Sequence, residues 1–156
     1  LSLHDALPIS NNRFAYLMEE MTGTVKAFSY KNGQLKAIQT ISSHPADYTG
    51  AKGSADIHVS PDGKFLYCSN RGESNTIAIF SISKAGKLKA VGYQSVLGKT
   101  PRNFNFDPTG NYLLVGNQNS DEIVIFKRDK NTGLLADSGQ RIAVGKPVCL
   151  KWISVK

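Results

Sequence analysis

Two stretches of the chain can be superimposed almost residue for residue: ADIHVSPDGKFLYCSNRGESNTIAIFSISKAGKLKAVG (55–92) and RNFNFDPTGNYLLVGNQNSDEIVIFKRDKNTGLLADSG (102–139). Pro61 aligns with Pro108, so the repeat has a period of 47 residues. A third, incomplete copy, RFAYLMEEMTGTVKAFSYKNGQLKAIQTI, precedes them at 13–41. Repeats of roughly 40–50 residues that are built from short strands are typical of β-propeller blades.

The middle copy contains four strand signals separated by turn signals. The predicted strands are ADIHVS (55–60), FLYCSN (65–70), TIAIFSI (76–82) and LKAVGYQSV (88–96). In the turn SPDGK, the proline presets φ and the Asp-Gly pair supplies the remaining turn geometry. The runs FLYC and IAIF are continuously apolar rather than alternating, which indicates burial on both faces, as in sheets stacked between sheets. A two-sheet sandwich would show cleaner alternation.

We therefore predict an all-β fold, a partial β-propeller of about three four-stranded antiparallel blades. The blades are expected at approximately residues 11–42, 53–98 and 100–145, and residues 146–153 are expected to start or close a further blade.

The strand order of such a blade also predicts which loops lie together. In an up-and-down blade, the loop between the second and third strands opens on the same side as the connections between blades. Glu20, Arg71 and Gln118, one from each copy, are therefore predicted to face one rim. Functional sites on propellers form where such loops converge around the central channel.

Composition and charge restrict the possible partners. Nineteen Lys and Arg against twelve Asp and Glu give a formal net charge of +7, which favours an anionic partner. No apolar run approaches the roughly 20 residues that a membrane-spanning helix needs, so no membrane partner is expected. The lysines are scattered over turns and no nucleic-acid-binding motif occurs, so no nucleic acid is expected either. Two cysteines without metal-ligand spacing, and the lack of a glycine-rich phosphate loop, predict neither a metal site nor a cofactor.

The first ten residues, LSLHDALPIS, differ from the rest of the chain. They lack the basic start and the small-residue cleavage site of a secretory signal, and they fit no position of the repeat. We predict that residues 1–10 are a non-native segment and that the chain is a fragment whose missing blades are its partners. An apolar blade face without its neighbour is expected to make the fragment associate and to leave it inactive.

Three motifs in this order and spacing carry a resemblance to a known family: SPDGKFLYCSNRG, NQNSDEIVIF and a final PVCLKW. Residues 12–153 resemble the C-terminal part of the lactonase family, whose members are seven-bladed β-propellers and include bacterial 6-phosphogluconolactonases. The resemblance implies hydrolysis of a phosphorylated sugar lactone by attack of water on the ring ester, in the pentose phosphate pathway of the cytoplasm and without a cofactor.

The resemblance also implies two catalytic residues. The arginine of the family's SNRG motif corresponds to Arg71. The glutamate of a Tyr-x-x-Asn-Glu pattern corresponds to Glu20 in YLMEEM, where Glu19 replaces the asparagine. A guanidinium can stabilise the oxyanion or hold a phosphate, and a carboxylate beside it can orient the attacking water. The family's second arginine and its histidine have no counterpart here, and His4 and Arg13 are not substitutes.

The candidates for substrate binding share a place at the rim or on an innermost strand. They are Lys52, His58, Asn70, Arg102 and Gln118. Cations at the start of successive innermost strands would form a positive ring suited to a phosphate. Structural alternatives remain open for each: a solvated lysine, a salt-bridged arginine, a buried structural histidine, or an amide that caps loop backbone. His44, in an interblade loop, is expected at the surface.

Two other functions remain open at this point. The first is a muconate-type cycloisomerase, which would use the same cations on a dicarboxylate. The second is a propeller that binds without catalysis, because this fold hosts many functions.

Overall fold

The computed structural model describes residues 6–8 and 13–153, which form three four-stranded antiparallel sheets. The first contains β1 (Ala6–Pro8), β2 (Phe14–Glu19), β3 (Thr24–Lys31) and β4 (Gln34–Ser42). The second contains β5 (Ser54–Val59), β6 (Phe65–Asn70), β7 (Thr76–Ile82) and β8 (Leu88–Ser95). The third contains β9 (Pro101–Phe106), β10 (Tyr112–Asn117), β11 (Glu122–Arg128) and β12 (Leu135–Ala143), with a 3-10 turn at Gln118–Ser120.

Strands that follow each other in sequence are hydrogen-bonded neighbours in every sheet, so each sheet is an up-and-down blade. This confirms the predicted all-β, partial propeller fold. No helix in this part of the chain is long and apolar enough to cross a membrane.

The N-terminal segment takes a different place from the one predicted. Ala6–Pro8 pairs antiparallel with β2, with Ala6 opposite Leu17 and Pro8 opposite Ala15, so it is the innermost strand of the first blade. The expectation that this segment fits no position of the repeat is therefore wrong for these three residues, because backbone pairing with β2 does not depend on matching side chains. Its non-native origin stays a prediction, and residues 1–5 and 9–10 lie outside the described residues.

The tight turn at the base of the second blade is closed by its own side chains. Ser60 Oγ donates to Asp62 Oδ1 at 2.6 Å and accepts from the Phe65 backbone N–H at 3.0 Å. Gly63 has φ +69°, which its lack of a Cβ allows. The local chemistry of SPDGK therefore fixes where β5 ends and β6 begins.

Neighbouring blades meet through a contact that repeats along the chain. Tyr16 in the first blade donates its hydroxyl to the Gly86 carbonyl of the second at 2.9 Å, and Tyr67 in the second does the same to Gly133 of the third at 2.5 Å. A Cβ at Gly86 or Gly133 would collide with the ring of Phe14 or Phe65, respectively. The glycine turns thus let each blade lie directly on the aromatic side chains of the blade before it.

The hydrophobic core lies between the blades. One buried cluster joins the first and second sheets and includes Tyr16, Leu66 and Phe80, and another joins the second and third and includes Tyr67 and Phe104. All six residues of β6 are buried. The continuous apolarity of FLYC therefore reflects contact with both neighbouring sheets, as predicted.

A buried arginine also joins the second and third blades, and nothing in the local sequence pattern singles it out. Arg128 donates to Asp62 Oδ2 at 2.8 Å and to the Tyr67 hydroxyl oxygen at 3.1 Å, with its side chain only 1% exposed. Its guanidinium carbon lies 5.6–5.9 Å from the ring centroids of Phe65, Tyr67 and Phe106. Burial acts to raise the pKa of Asp62, but hydrogen bonds from Ser60 and Arg128 hold that pKa below its usual value.

Two glycines with nearly the same backbone test the contact between blades. Gly133 has φ +77° and faces Phe65, whereas Gly139 has φ +76° and, among the described residues, no atom within 4 Å of the position that a Cβ would take. We expect Gly139→Ala to cost about 1 kcal/mol through the left-handed backbone alone. Gly133→Ala should cost about 1–3 kcal/mol more, because the methyl group overpacks the interface. Urea unfolding of both variants measures the difference, and equal losses would contradict the packing account.

The ion pair of Arg128 makes a second prediction. Arg128→Met keeps much of the side-chain volume but removes the cation paired with Asp62 and the donor to the Tyr67 hydroxyl oxygen, so we expect a loss of about 3 kcal/mol in the free energy of unfolding. Arg141 pairs with Asp137 at the surface, and Arg141→Met should change stability little. Thermal unfolding at neutral pH compares the two, and similar stability of both variants would show that the buried pair is dispensable.

Candidate functional site

Glu20 and Arg71 meet at the junction of the first and second blades. Arg71 Nη2 donates to Glu20 Oε1 in an ion pair and to the Ser54 carbonyl at 2.8 Å. The two side chains come from the β2–β3 and β6–β7 loops, which the strand order predicts to share one rim. The Glu20 side chain is 50% exposed and that of Arg71 is 20% exposed, so the pair is open to solvent from the carboxylate side.

The adjacent carboxylate, Glu19, is used within its own hairpin. It forms an ion pair with Lys26 at 2.7 Å and accepts hydrogen bonds from Thr22 and Thr24. These contacts, with the Lys26 hydrogen bond the strongest, lower the pKa of Glu19 to about 2. Of the two glutamates in YLMEEM, Glu20 is therefore the one that reaches the next blade.

The segment between the first two blades, residues 43–53, crosses over the SNRG motif, and we call it the interblade strap. Its contacts explain the backbone position of Arg71 and the need for a glycine at residue 72. The Arg71 backbone N–H donates to the Gly53 carbonyl at 2.5 Å, and that of Glu73 donates to Ala51 at 3.4 Å. Gly72 has φ +63°, and a Cβ there would overlap the Ala51 carbonyl. The glycine lets the strap pass closely, and the strap fixes the backbone of Arg71.

Asn70 also binds the strap, and its hydrogen bonds correct the predicted role of this residue in substrate binding. Its side chain is fully buried, and its Nδ2 donates to the Ser43 carbonyl at 2.7 Å. Its Oδ1 accepts from the hydroxyls of Ser43 at 2.8 Å and Ser54 at 3.1 Å. Since both amide atoms are already bonded inside the protein, Asn70 holds the strap rather than a ligand.

Asn117 repeats this arrangement between the second and third blades. Its Nδ2 donates to the Val96 carbonyl at 3.0 Å, but its buried Oδ1 has no hydrogen-bond partner among residues 13–153, because Val96 and Pro101 stand where the other junction has serines. Gln118 follows on the same rim, partly buried, with its backbone N–H donating to the Thr100 carbonyl at 2.9 Å. Its side chain stays a predicted contact for substrate.

His58 is engaged at the joint between the second and third blades. Its Nε2 lies 3.0 Å from Asp56 Oδ2, and its ring meets that of Phe104 edge-on at 4.8 Å. Asp56 Oδ2 also accepts from Asn103 Nδ2 at 2.6 Å and from the Phe104 N–H at 3.1 Å. Asp56 was missed from the sequence, although its spacing of two residues from His58 on a strand is a signal that both share one face.

Lys52 and Arg102, the cations predicted at the rim, are both exposed. Arg102 makes no hydrogen bond or ion pair within residues 13–153, and Lys52 extends its stem past Gly23. Within residues 13–153, neither forms a hydrogen bond or ion pair with Glu20 or Arg71, and the predicted cationic ring stays a prediction.

His44 is buried, with 2% of its surface exposed, whereas its place in an interblade loop predicted it at the surface. The ring stacks on Tyr48 with centroids 4.5 Å apart and planes 8° from parallel. Burial, and then the nearby Lys52 ammonium, lower the pKa of His44. The strap folds this histidine inward because it crosses the blade junction instead of looping into solvent.

The arrangement places a guanidinium and a carboxylate together at an open rim. A fixed guanidinium can stabilise developing negative charge on oxygen, and a carboxylate can orient a water or accept its proton. In the described part of the chain, no group of three or more His, Cys, Asp or Glu side chains is placed to hold a metal ion.

Comparison with known proteins agrees with this architecture. The family described as lactonase, 7-bladed beta-propeller matches residues 5–152. A 6-phosphogluconolactonase of Formosa agariphila is 46% identical over 136 residues, which cover 86% of this chain and 38% of that protein. A 6-phosphogluconolactonase of Bacillus subtilis is 38% identical over 144 residues, covering 90% and 41%. The structure of the periplasmic gluconolactonase PpgL of Pseudomonas aeruginosa superimposes with a TM-score of 0.92 at 38% identity, covering 97% and 42%. The chain thus spans about two fifths of the length of the relatives it matches.

The strap can be tested through its glycines. Gly72→Ala places a methyl group on the Ala51 carbonyl in a left-handed backbone, so we expect the strap to be displaced and the amides of Arg71 and Glu73 to exchange at least about tenfold faster. Gly53→Ala, whose Cβ would have its nearest neighbour at 3.7 Å, is the matched control and should leave exchange unchanged. Hydrogen exchange measured by NMR separates the two, and unchanged exchange in Gly72→Ala would contradict the role given to the strap.

Proposed function

The chain belongs to the lactonase family of seven-bladed β-propellers, and on this basis we propose that the whole protein hydrolyses a sugar lactone, 6-phosphogluconolactone to 6-phosphogluconate. The relatives from Formosa agariphila and Bacillus subtilis carry the name of that activity, and the resemblance of the SNRG and PVCLKW motifs points to it as well. The observation on this chain that carries the proposal is the contact of Glu20 with Arg71 at the rim.

The chemistry needs one water and no cofactor. The water oxygen attacks the lactone carbonyl carbon while Glu20, oriented by Arg71, accepts the proton that the water loses. The Arg71 guanidinium stabilises the negative charge that develops on the carbonyl oxygen. When the tetrahedral intermediate collapses, the bond to the ring oxygen breaks, and that oxygen takes up a proton to become the hydroxyl of the open acid.

Positive charge at the same rim would bind the phosphate. Arg102 is exposed and unpaired within residues 13–153, and Lys52 is exposed on the strap, so both have donors available. We assign them to the substrate phosphate, and His58 and Gln118 to sugar hydroxyls. The net charge of +7 attracts such an anion from solution.

Neither alternative function is favoured by a specific observation on this chain, so neither is proposed. The pentose phosphate pathway and the cytoplasm stay expectations from the resemblance, and the Pseudomonas aeruginosa relative is described as periplasmic.

The proposal is tested by the hydrolysis rate of 6-phosphogluconolactone with the whole protein. We expect Arg71→Met and Glu20→Gln each to lower kcat/KM by about 10²-fold, the usual effect of removing one group that stabilises the transition state. Arg141→Met, which removes an exposed arginine with its own carboxylate partner, should retain the wild-type value within about twofold. A folded Arg71→Met variant with wild-type kcat/KM would exclude Arg71 from the reaction, and no turnover by the wild-type protein would refute the proposed function.

A further inference from the structure

Buried polar atoms without a hydrogen-bond partner are concentrated beside the Glu20–Arg71 pair. Within residues 13–153 there are four such side-chain atoms, and three of them are Nδ1 and Nε2 of His44 and Nε of Arg71. Unpaired buried polar atoms are rare in folded proteins and call for a specific reason. The fourth, on Asn117, follows from Val96 and Pro101 taking the place of serines, so His44 is the residue that needs an explanation.

Packing holds the His44 ring in place without hydrogen bonds to its nitrogens. One face of the ring stacks on Tyr48. Its Cδ2–Nε2 edge lies against Gly23, where an added Cβ would be only 2.7 Å from both atoms, and the Cδ of Lys52 lies 3.5 Å from the same point. The ring therefore fills the space that a side chain at residue 23 would occupy.

This position lies directly beneath the loop that carries Glu20. The loop ends at Gly23, whose carbonyl accepts from the Ser43 backbone N–H at 2.8 Å. The Glu20 carbonyl accepts from the Ser54 N–H at 3.0 Å. Ser43, at the start of the strap, and Ser54, directly after its end, thus both bind the loop, and the His44 ring packs against the loop at Gly23.

We propose that His44 is a positioning residue for Glu20: its ring packs beneath the β2–β3 loop and holds that loop where Glu20 can contact Arg71. This inference rests on the proposed function for the role of Glu20, but the position of the loop can be measured without turnover. His44 does not touch the substrate in this account, and it acts through Gly23 and the strap.

The surroundings of His44 require the neutral form. Lys52 is the charged group beside the ring, and Tyr48 and Tyr93 are the titratable groups packed on the residue, Tyr93 by donating to the His44 carbonyl at 3.3 Å. A protonated ring would put a second cation next to Lys52 with no acceptor at either nitrogen. Because the unfolded chain takes up this proton near pH 6.5 and the folded chain only at lower pH, the support weakens as pH falls below about 6.5.

The test compares His44→Phe and His44→Ala with the wild-type protein between pH 5 and 8. Phenylalanine keeps a planar ring on Tyr48 but cannot be protonated, whereas alanine leaves the space below Gly23 empty. The first measurement is the NMR protection factor of the Ser54 amide, which reports the contact with Glu20. We expect it to fall on acidification in the wild type, to stay constant in His44→Phe, and to be at least about tenfold lower at every pH in His44→Ala.

The second measurement is lactone hydrolysis. We expect His44→Ala to lower kcat by about tenfold with KM little changed, since Glu20 acts on the attacking water and not on substrate affinity. His44→Phe should have the wild-type kcat at pH 7.5. Its kcat should also fall less than the wild-type value as the pH is lowered, because the phenylalanine ring cannot be protonated.

Two results would overturn the inference: wild-type protection of Ser54 in His44→Ala, or a wild-type acid response of Ser54 in His44→Phe. If His44→Ala fails to fold, the pH dependence of Ser54 protection in His44→Phe still tests the inference. The predicted protection pattern in a protein without lactonase activity would refute the proposed function while supporting the role of His44 in placing the loop.

Discussion

Neighbouring sheets can stack only because they approach each other closely at their glycine turns. A blade is buried on both faces only if the next sheet can lie directly on its aromatic side chains, as Gly86 and Gly133 allow. The hydroxyls of Tyr16 and Tyr67 donate to the carbonyls of these two glycines and so fix the position of each blade relative to the next. At the equivalent positions of the outer blades, Tyr112 of the third blade is exposed, and no atom of the described residues lies within 4 Å of the Cβ position at Gly33 of the first blade. Within the described part of the chain, these two surfaces therefore have no sheet packed on them.

The candidate site is a product of this stacking. Glu20 and Arg71 are 51 residues apart and belong to different hairpins, and they meet because successive blades present the same loop to the same rim. The interblade strap holds the two loops in a defined position. Its Gly53 carbonyl binds the Arg71 backbone, and Ser43 at its start and Ser54 directly after its end bind the loop of Glu20. The SNRG motif therefore carries both structure and chemistry: Asn70 and Gly72 hold the strap, and Arg71 points to the neighbouring blade.

Much of this could be predicted from the sequence, because a repeat shows strand order, turn chemistry and shared rims together. The four strands of the middle blade, and the expectation that Glu20 and Arg71 face the same rim, followed from that periodicity; their direct ion pair was not predicted. The misses have a common cause, which is that contacts between repeats leave no local pattern. Arg128 stands in a charged turn sequence yet reaches across to Asp62, and His44 in a polar loop is folded inward by the strap. Ala6–Pro8 pairs with β2 through backbone hydrogen bonds, which any sequence can form, so its sequence gave no sign of a strand.

A double-mutant cycle across the blade junction tests whether Glu20 and Arg71 act together. Glu20→Gln, Arg71→Met and the combined variant are compared by kcat/KM for lactone hydrolysis in the whole protein. If the two side chains act as one unit, the combined variant should be about as slow as the slower single variant. Losses that multiply would mean that the two residues act independently, and the contact between the blades would then not be the basis of the site.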